Sequence, residues 1–367
     1  MSDNTLFSTG LHRRDFLRLT AGLTALMGLP YAMHTKVAEA ATADNRPPVI
    51  WLHFQECTGC TESLIRSGHP DPAALILDLI SLDYQETLMV GSGHQAEKSL
   101  EDSMKANWGK YILVVEGAVP LAKDGIYCKV AGKTAVDSLR DVSEGAAAVI
   151  CIGTCAAFGG VQAADPNPTQ AVSAASLIKD KPVINIPGCP PSPYNLLATI
   201  LYYLTFKKLP KLDKLNRPEF AYGRRIHEHC ERRPHFDAGR FAEQFGDKGH
   251  SEGYCLYKLG CKGPVTFANC SVQRFNDVGV WPVSMGHPCI GCTEPDVMFH
   301  TSIYDKPQIH EVTPPDTYPN ANPAPRGKGA DPVTTGVIGM VAGAAIAASA
   351  IMANKLPKGG DDEEDKA

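Results

Sequence analysis

The sequence predicts an α/β protein with a doubly wound parallel sheet, followed by an irregular cysteine-rich domain and a single C-terminal transmembrane helix. Three observations predict this. Short, near-continuous apolar runs alternate with helix-like stretches between Pro48 and about Lys207. From about Phe220 to Pro314, some 95 residues, the periodicity fades and Pro, Gly, His and Cys become frequent. Pro332 to Asn354 carries no charge, and a short charged tail follows it. A length of 367 residues calls for more than one domain. Hydrophobic residues at 44% and charged residues at 20% describe an ordinary folded chain, excluding global disorder and a polytopic membrane protein. A net charge of -5 leaves no basic footprint, so nucleic acid is not expected as a partner.

Residues 1–43 read as a targeting segment. His12-Arg13-Arg14-Asp15-Phe16-Leu17-Arg18 supplies a paired-arginine region, and the uncharged stretch Leu19 to Met33 after it is too short to span a bilayer. Ala38-Glu39-Ala40 offers a small-residue cleavage site, with the cut after Ala40. The segment resembles a twin-arginine signal, with His12 standing where Ser or Thr is commoner. That route exports proteins already folded, typically because a cofactor is inserted beforehand.

The parallel strands are expected at Val49 to Gln55, Tyr111 to Val119, Ala147 to Thr154 and Pro182 to Pro187, since apolar runs of this length suit strands covered on both faces. Ala73 to Ile80, Thr134 to Gly145 and Tyr194 to Phe206 suit the intervening helices. In such sheets ligands sit beyond the carboxyl ends of the strands. Cys57, Cys155 and Cys189 each fall just past such an end, with Cys60 close behind Cys57. Four thiols therefore converge on one crevice.

Beyond residue 210, a segment with so little regular structure needs another source of order, which bound metal would supply. Residues 313–332, rich in Pro, Asn and Ala, read as a linker. The 21 residues from Val333 to Ala353 follow, about 31 Å as a helix, enough for one membrane span. Lys355 and Lys358 place the tail, residues 354–367, in the cytoplasm and the bulk of the chain outside. Gly339 and Gly343 give the span a small-residue face suited to packing on another membrane helix.

Ten of the twelve cysteines, with one histidine, fall into three sets. The first is Cys57, Cys60, Cys155 and Cys189, and the second His227, Cys230, Cys255 and Cys261. Cys270, Cys289 and Cys292 form the third. Four thiolates suit a cubane iron-sulfur cluster, and a three-ligand set suits one lacking an iron. Spacing alone leaves disulfides and zinc open as well. Cys128 and Cys151, in or near apolar runs, read as buried thiols. Gly91-Ser92-Gly93 lacks the rest of a dinucleotide fingerprint, there is no P-loop, and the Asn269 glycosylation sequon is set aside in a bacterial export context.

Several ordered blocks carry a resemblance: Glu56-Cys57-Thr58-Gly59-Cys60-Thr61-Glu62, Gly153-Thr154-Cys155-Ala156, Pro187-Gly188-Cys189-Pro190-Pro191, the run from His227 to Gly239, Leu259-Gly260-Cys261-Lys262-Gly263-Pro264 and Gly286-His287-Pro288-Cys289-Ile290-Gly291-Cys292. Together they resemble the small subunit of membrane-bound nickel-iron hydrogenases, most closely the hydrogenase-2 type of enteric bacteria. The resemblance covers nearly all of residues 48–300. It implies a flavodoxin-like domain over residues 48–210 and an irregular cluster domain over 211–312. It assigns the first set to a proximal 4Fe-4S cluster, the second to a distal 4Fe-4S cluster and the third to a medial 3Fe-4S cluster. Pro282 stands where a fourth cysteine could complete the medial set, which supports three irons there. A neutral imidazole in place of an anionic thiolate raises the distal potential.

Oxygen-tolerant members of the family carry two extra cysteines, and the matching positions here are Gly59 and Gly160. A standard proximal cubane and oxygen-sensitive chemistry are therefore expected. No cysteine pair is left over to build a nickel-iron centre, which the resemblance puts on a separate large subunit. The implied role is that of a hydrogen:acceptor oxidoreductase's electron-transfer subunit, on the periplasmic side of the inner membrane. Implied partners are the large subunit, the twin-arginine translocase and a membrane quinone-reducing or cytochrome b-type partner, reached directly or through a ferredoxin-like subunit. Glu56, Arg232, Arg233 and His235 are candidates to surround the clusters, Glu56 also for a proton path. Two other readings remain: an exported non-catalytic protein with disulfide or zinc-bound cysteines, and an iron-sulfur subunit of a related quinone-reducing complex.

Overall fold

Five parallel strands form the centre of the protein. A computed structural model describes residues 12–42, 46–68, 79–275, 278–309 and 314–315. The chain divides into two units, Met1–Tyr318 and Pro319–Ala367, and every described residue belongs to the first. The strands are β1 (Pro48–His53), β2 (Ser81–Gln85), β3 (Ile112–Glu116), β4 (Ala148–Ile152) and β5 (Val183–Ile186). Their order across the sheet is β2-β1-β3-β4-β5, and every pairing is parallel. This is the flavodoxin-like doubly wound order, whose ligand crevice opens between β1 and β3 where the direction of winding reverses.

Side chains alternate across a strand, so a strand buried on both faces must be apolar at every position. Val49 and Trp51 of β1, Ile112 and Val114 of β3, Ile150 and Ile152 of β4, and Ile184 and Ile186 of β5 enter one core. The intervening Ile50, Leu52, Leu113, Val115, Val149, Cys151 and Val183 enter the other. On the first face lie α3 (Gly59–Ile65) and the apolar α7 (Pro193–Phe206); on the second lie α4 (His94–Ala106) and α5 (Ala135–Glu144). Thr134 caps α5, its hydroxyl accepting the Asp137 amide. A further short helix, α6 (Gly153–Phe158), follows β4 directly.

Apolar runs disclose four of the five strands and miss β2, whose Ser81, Asp83 and Gln85 interrupt the pattern at a sheet edge. They also miss α4, which is polar because it buries little beyond Ala96 and Ser103. The expected strand from Tyr111 to Val119 ends at Glu116; Val119–Pro120 instead pairs antiparallel with Ala171–Val172. The helix expected over residues 73–80 lies almost wholly outside the described residues. So do most of the linker, the span expected at 333–353 and the tail. Among the described residues no helix is long and apolar enough to cross a membrane.

Residues 13–41 form a helical hairpin of α1 (Arg13–Leu26) and α2 (His34–Ala41), both packed against α7. Phe16, Leu19 and Leu23, spaced along one helical face, join the first core together with Val37 and Ala41. The Thr20 hydroxyl meets His34 Nε2 at 2.8 Å, tying the two helices together. Arg13 and Arg14 stay exposed, and the small-residue motif Ala38–Ala40 lies within α2.

Residues after 208 contain only helices of four or five residues and short 3-10 turns among those described, as their composition predicts. They extend the first core through Tyr222, Ile226, Leu256 and Trp281. Specific bonds tie them to the sheet. Tyr222 Oη donates to the Pro187 carbonyl at 2.8 Å, and Asn195 and Asn269 exchange side-chain amide bonds at 3.2 and 2.9 Å. Within the extension, Arg217, only 4% exposed, donates to Asp213 at 2.7 Å and to the Thr293 carbonyl and Glu294 carboxylate, each at 2.9 Å.

Candidate metal centres

Cys57 lies on the loop leaving β1, Cys60 in the first turn of α3, Cys155 in α6 and Cys189 in the turn after β5. All four line one cavity beyond the carboxyl ends of the strands, beside Glu56, Glu116 and Thr154. Gly153 makes the approach possible: its φ of +80° suits glycine, and a Cβ there would run into the Cys60 sulfur. Gly160, at φ +59°, is equally confined, since a Cβ would stand 2.6 Å from Cys155 Sγ.

Glu116 organises this crevice, although it is not among the site residues expected from the sequence. One carboxylate oxygen accepts the amides of Cys60 at 2.9 Å and Thr61 at 3.3 Å. The other accepts the Thr61 hydroxyl at 2.7 Å and the Trp51 indole at 3.2 Å. The one signal it leaves is a carboxylate closing an apolar strand run, Ile112-Leu113-Val114-Val115-Glu116, at a buried position. Glu56 touches His53 at 3.4 Å and keeps one buried oxygen without a hydrogen bond. Burial opposes the charge of His53, but the Glu56 bond and the Glu116 carboxylate outweigh it and raise its pKa.

His227, Cys230, Cys255 and Cys261 line a second cavity, with Arg232 among them. His227 is buried, and its Nε2 has no hydrogen-bond partner. Burial first, then the Arg233 charge, pushes its pKa down to about 4, so the ring is neutral and has a lone pair to give. The Arg232 amide donates to Cys230 Sγ at 3.4 Å, and Arg233 reaches the His227 carbonyl at 3.4 Å. His235 stacks on Tyr254, with ring centroids 5.0 Å apart.

Cys270, Cys289 and Cys292 line a third cavity with Pro282, Trp281 and Tyr222. Cys189 lines both this cavity and the first, and Ile226 lines both this one and the second. The third set therefore lies between the other two. Thr154 stitches the first to the third, accepting the Gly188 amide at 3.0 Å and donating to the Cys292 carbonyl.

All twelve cysteines are free thiols, so the disulfide arrangement that spacing left open is not adopted. Cys151 is fully buried, as expected, whereas Cys128 is half-buried. Burial, reinforced by neighbouring thiols, lifts Cys155 to about 11 and Cys230, Cys255 and Cys292 to about 12. Thiols held this high ionise only beside a compensating cation. Among the described residues, the one group of three or more His, Cys, Asp or Glu whose ligand atoms all lie within 4.8 Å of one another is His53, Glu56 and Glu116. The cysteine sets are too open to close on a single ion, which draws its ligands to roughly 2.3 Å for zinc and sulfur. A larger polynuclear centre fits them.

A doubly wound sheet with a thiol-lined crevice, continued by a cysteine-rich extension without regular structure, defines the class of redox subunits built on a flavodoxin-like core. Residues 222–305 match the family described as the C-terminal part of the NiFe/NiFeSe hydrogenase small subunit, and residues 57–203 match NADH ubiquinone oxidoreductase, 20 Kd subunit. The chain is 54% identical to the Hydrogenase-2 small chain of Escherichia coli K12 over 94% of each protein. It is 48% identical to the Quinone-reactive Ni/Fe-hydrogenase small chain of Wolinella succinogenes over 83% of this chain and 86% of that one. The reduced, active Ni-Fe-Se hydrogenase of Desulfomicrobium baculatum aligns with a TM-score of 0.67 at 35% identity, over 72% of this chain and all of that one. The chain belongs to the nickel-iron hydrogenase small subunits. It is thus one half of an oxidoreductase whose catalytic site lies on the large subunit.

Proposed function

We propose that this chain relays electrons from hydrogen oxidation on the large subunit, through three iron-sulfur clusters, to a membrane quinone-reducing partner. In this reading Cys57, Cys60, Cys155 and Cys189 hold a proximal 4Fe-4S cluster. Cys270, Cys289 and Cys292 hold a medial 3Fe-4S cluster, and His227, Cys230, Cys255 and Cys261 a distal 4Fe-4S cluster. The observation that carries it is the serial arrangement of three thiol-lined cavities, joined through Cys189 and Ile226. When bound, such clusters supply one-electron carriers at tunable potentials.

The chain's own residues do the rest. Glu116 fixes the turn that presents Cys60, and the exposed Cys57 and Cys189 leave the first cavity open to a partner surface. The bonds from the Arg232 amide to the Cys230 sulfur and from the Cys289 amide to the Cys261 sulfur, at 3.4 Å each, offset thiolate charge and favour the reduced state. Pro282 offers no ligand in the middle cavity, which supports three irons there.

The paired arginines, the apolar stretch after them and the uncharged segment 333–353 support a twin-arginine-exported protein anchored in the inner membrane, its bulk in the periplasm. The Wolinella relative's name supports a quinone-linked acceptor. Metal analysis of the purified complex, expressed anaerobically with its maturation machinery, tests the reading. About 11 irons and 12 acid-labile sulfides per chain are expected, with a nearly isotropic three-iron EPR signal on oxidation and a nickel-containing partner that co-purifies. Near-zero iron would overturn it.

A further inference from the structure

A buried lysine follows Cys261 of the second cysteine set, and its backbone reaches Cys289 of the third. Lys262 is only 2% exposed. Its Nζ donates to the carbonyls of Ser302 at 2.8 Å, Ile303 at 2.7 Å and Asp305 at 3.3 Å, using all three donors without bonding a carboxylate. Its backbone joins the two sets. The Lys262 amide donates to the Cys289 carbonyl at 2.7 Å, and the Cys289 amide returns to Cys261 Sγ at 3.4 Å. Asp305, Cys289 and Cys261 are near enough that negative charge on any of them favours the ammonium. A buried cation is costly unless negative charge balances it, and carbonyl dipoles alone supply only part of that. Two of those three neighbours are thiolate donors of different sets.

We propose that Lys262 is a positioning residue of the electron path, its buried ammonium raising the reduction potentials of the medial and distal clusters together. The inference rests on the cluster reading given above. A fixed positive charge favours the more negative, reduced form of each neighbouring centre, and in a low-dielectric interior the effect reaches both. Because the links between Cys261, Lys262 and Cys289 run through backbone, changing the side chain removes the charge and leaves that ladder in place.

The test is an EPR-monitored redox titration of the purified hydrogenase complex carrying Lys262→Met or Lys262→Arg. Lys262→Met is expected to shift both medial and distal midpoint potentials downward, and Lys262→Arg to leave them near the wild-type values. Full-intensity signals with unchanged midpoints in Lys262→Met overturn the proposal alone, as does an equal downward shift in Lys262→Arg, which would reveal a purely structural role. Should Lys262→Met fail to assemble, Asp305→Asn decides: losing that opposing charge is expected to move both midpoints upward, and no shift overturns the proposal. Absence of both signals from the wild-type complex overturns the cluster reading and this inference with it.

Discussion

His227 shows how the burial of one side chain carries a consequence for stability. Its ordinary value is 6.5, and the folded protein holds it at about 4, mainly through burial. Between those values the unfolded chain takes up a proton that the folded chain refuses, so stability is full above pH 6.5 and falls as the pH drops toward 4. Urea unfolding of the cluster-free chain across this window is expected to show that loss, and His227→Gln is expected to flatten it. The histidine itself is legible in the sequence because its spacing to Cys230 repeats a ligand pattern. Other buried residues are less so. Glu116, Lys262 and Arg217 are ordinary charged residues by type, and only the fold reveals that each is nearly excluded from water. Of the expected neighbours, Glu56 and Arg232 line the first and second cavities, while Arg233 acts through the His227 backbone.

Helices and strands differ in how openly they announce themselves. β1, β3, β4 and β5 are covered on both faces, so their apolar runs are uninterrupted and readable. β2 is an edge strand and α4 faces solvent, so neither shows a run, and both are found only through the sheet they complete. The α1–α2 hairpin poses a different question, because a stretch that reads as an export signal is packed here as an element of the core. Here Leu23 is 2% exposed within the core that surrounds α7. Leu23→Ala is expected to weaken the hairpin by about 2–5 kcal/mol. Hydrogen exchange on the unprocessed protein checks this: amides of α1 should exchange faster while those of β3 and β4 remain protected.

Across the whole molecule, the Tyr222–Pro187 and Asn195–Asn269 bonds join the cysteine-rich extension to the α/β layers, while a buried arginine orders the extension itself. Arg217 neutralises Asp213 and Glu294 in a buried position and faces the rings of Tyr222 and Phe267 at 5.7 and 5.8 Å. Arg217→Met is expected to cost about 3–5 kcal/mol, because it strands carboxylates away from water. Denaturant unfolding measures the loss, and Arg217→Met combined with Glu294→Leu should recover part of it. The winding of the sheet and the grouping of ten cysteines are legible in the sequence. Which set stands between the other two is a matter of three-dimensional neighbours, Cys189 and Ile226 above all.

The confinement around Gly160 limits what that position can carry. Any carbon attached there would crowd the sulfur of Cys155, and one at Gly59 would stand 3.1 Å from the sulfur of Cys57. A side chain at position 160 would consequently push on the Cys155 backbone as well as on its sulfur, so Gly160→Cys is expected to displace the Gly159–Ala163 turn, whereas at position 59 a small shift of the Cys57 side chain makes room.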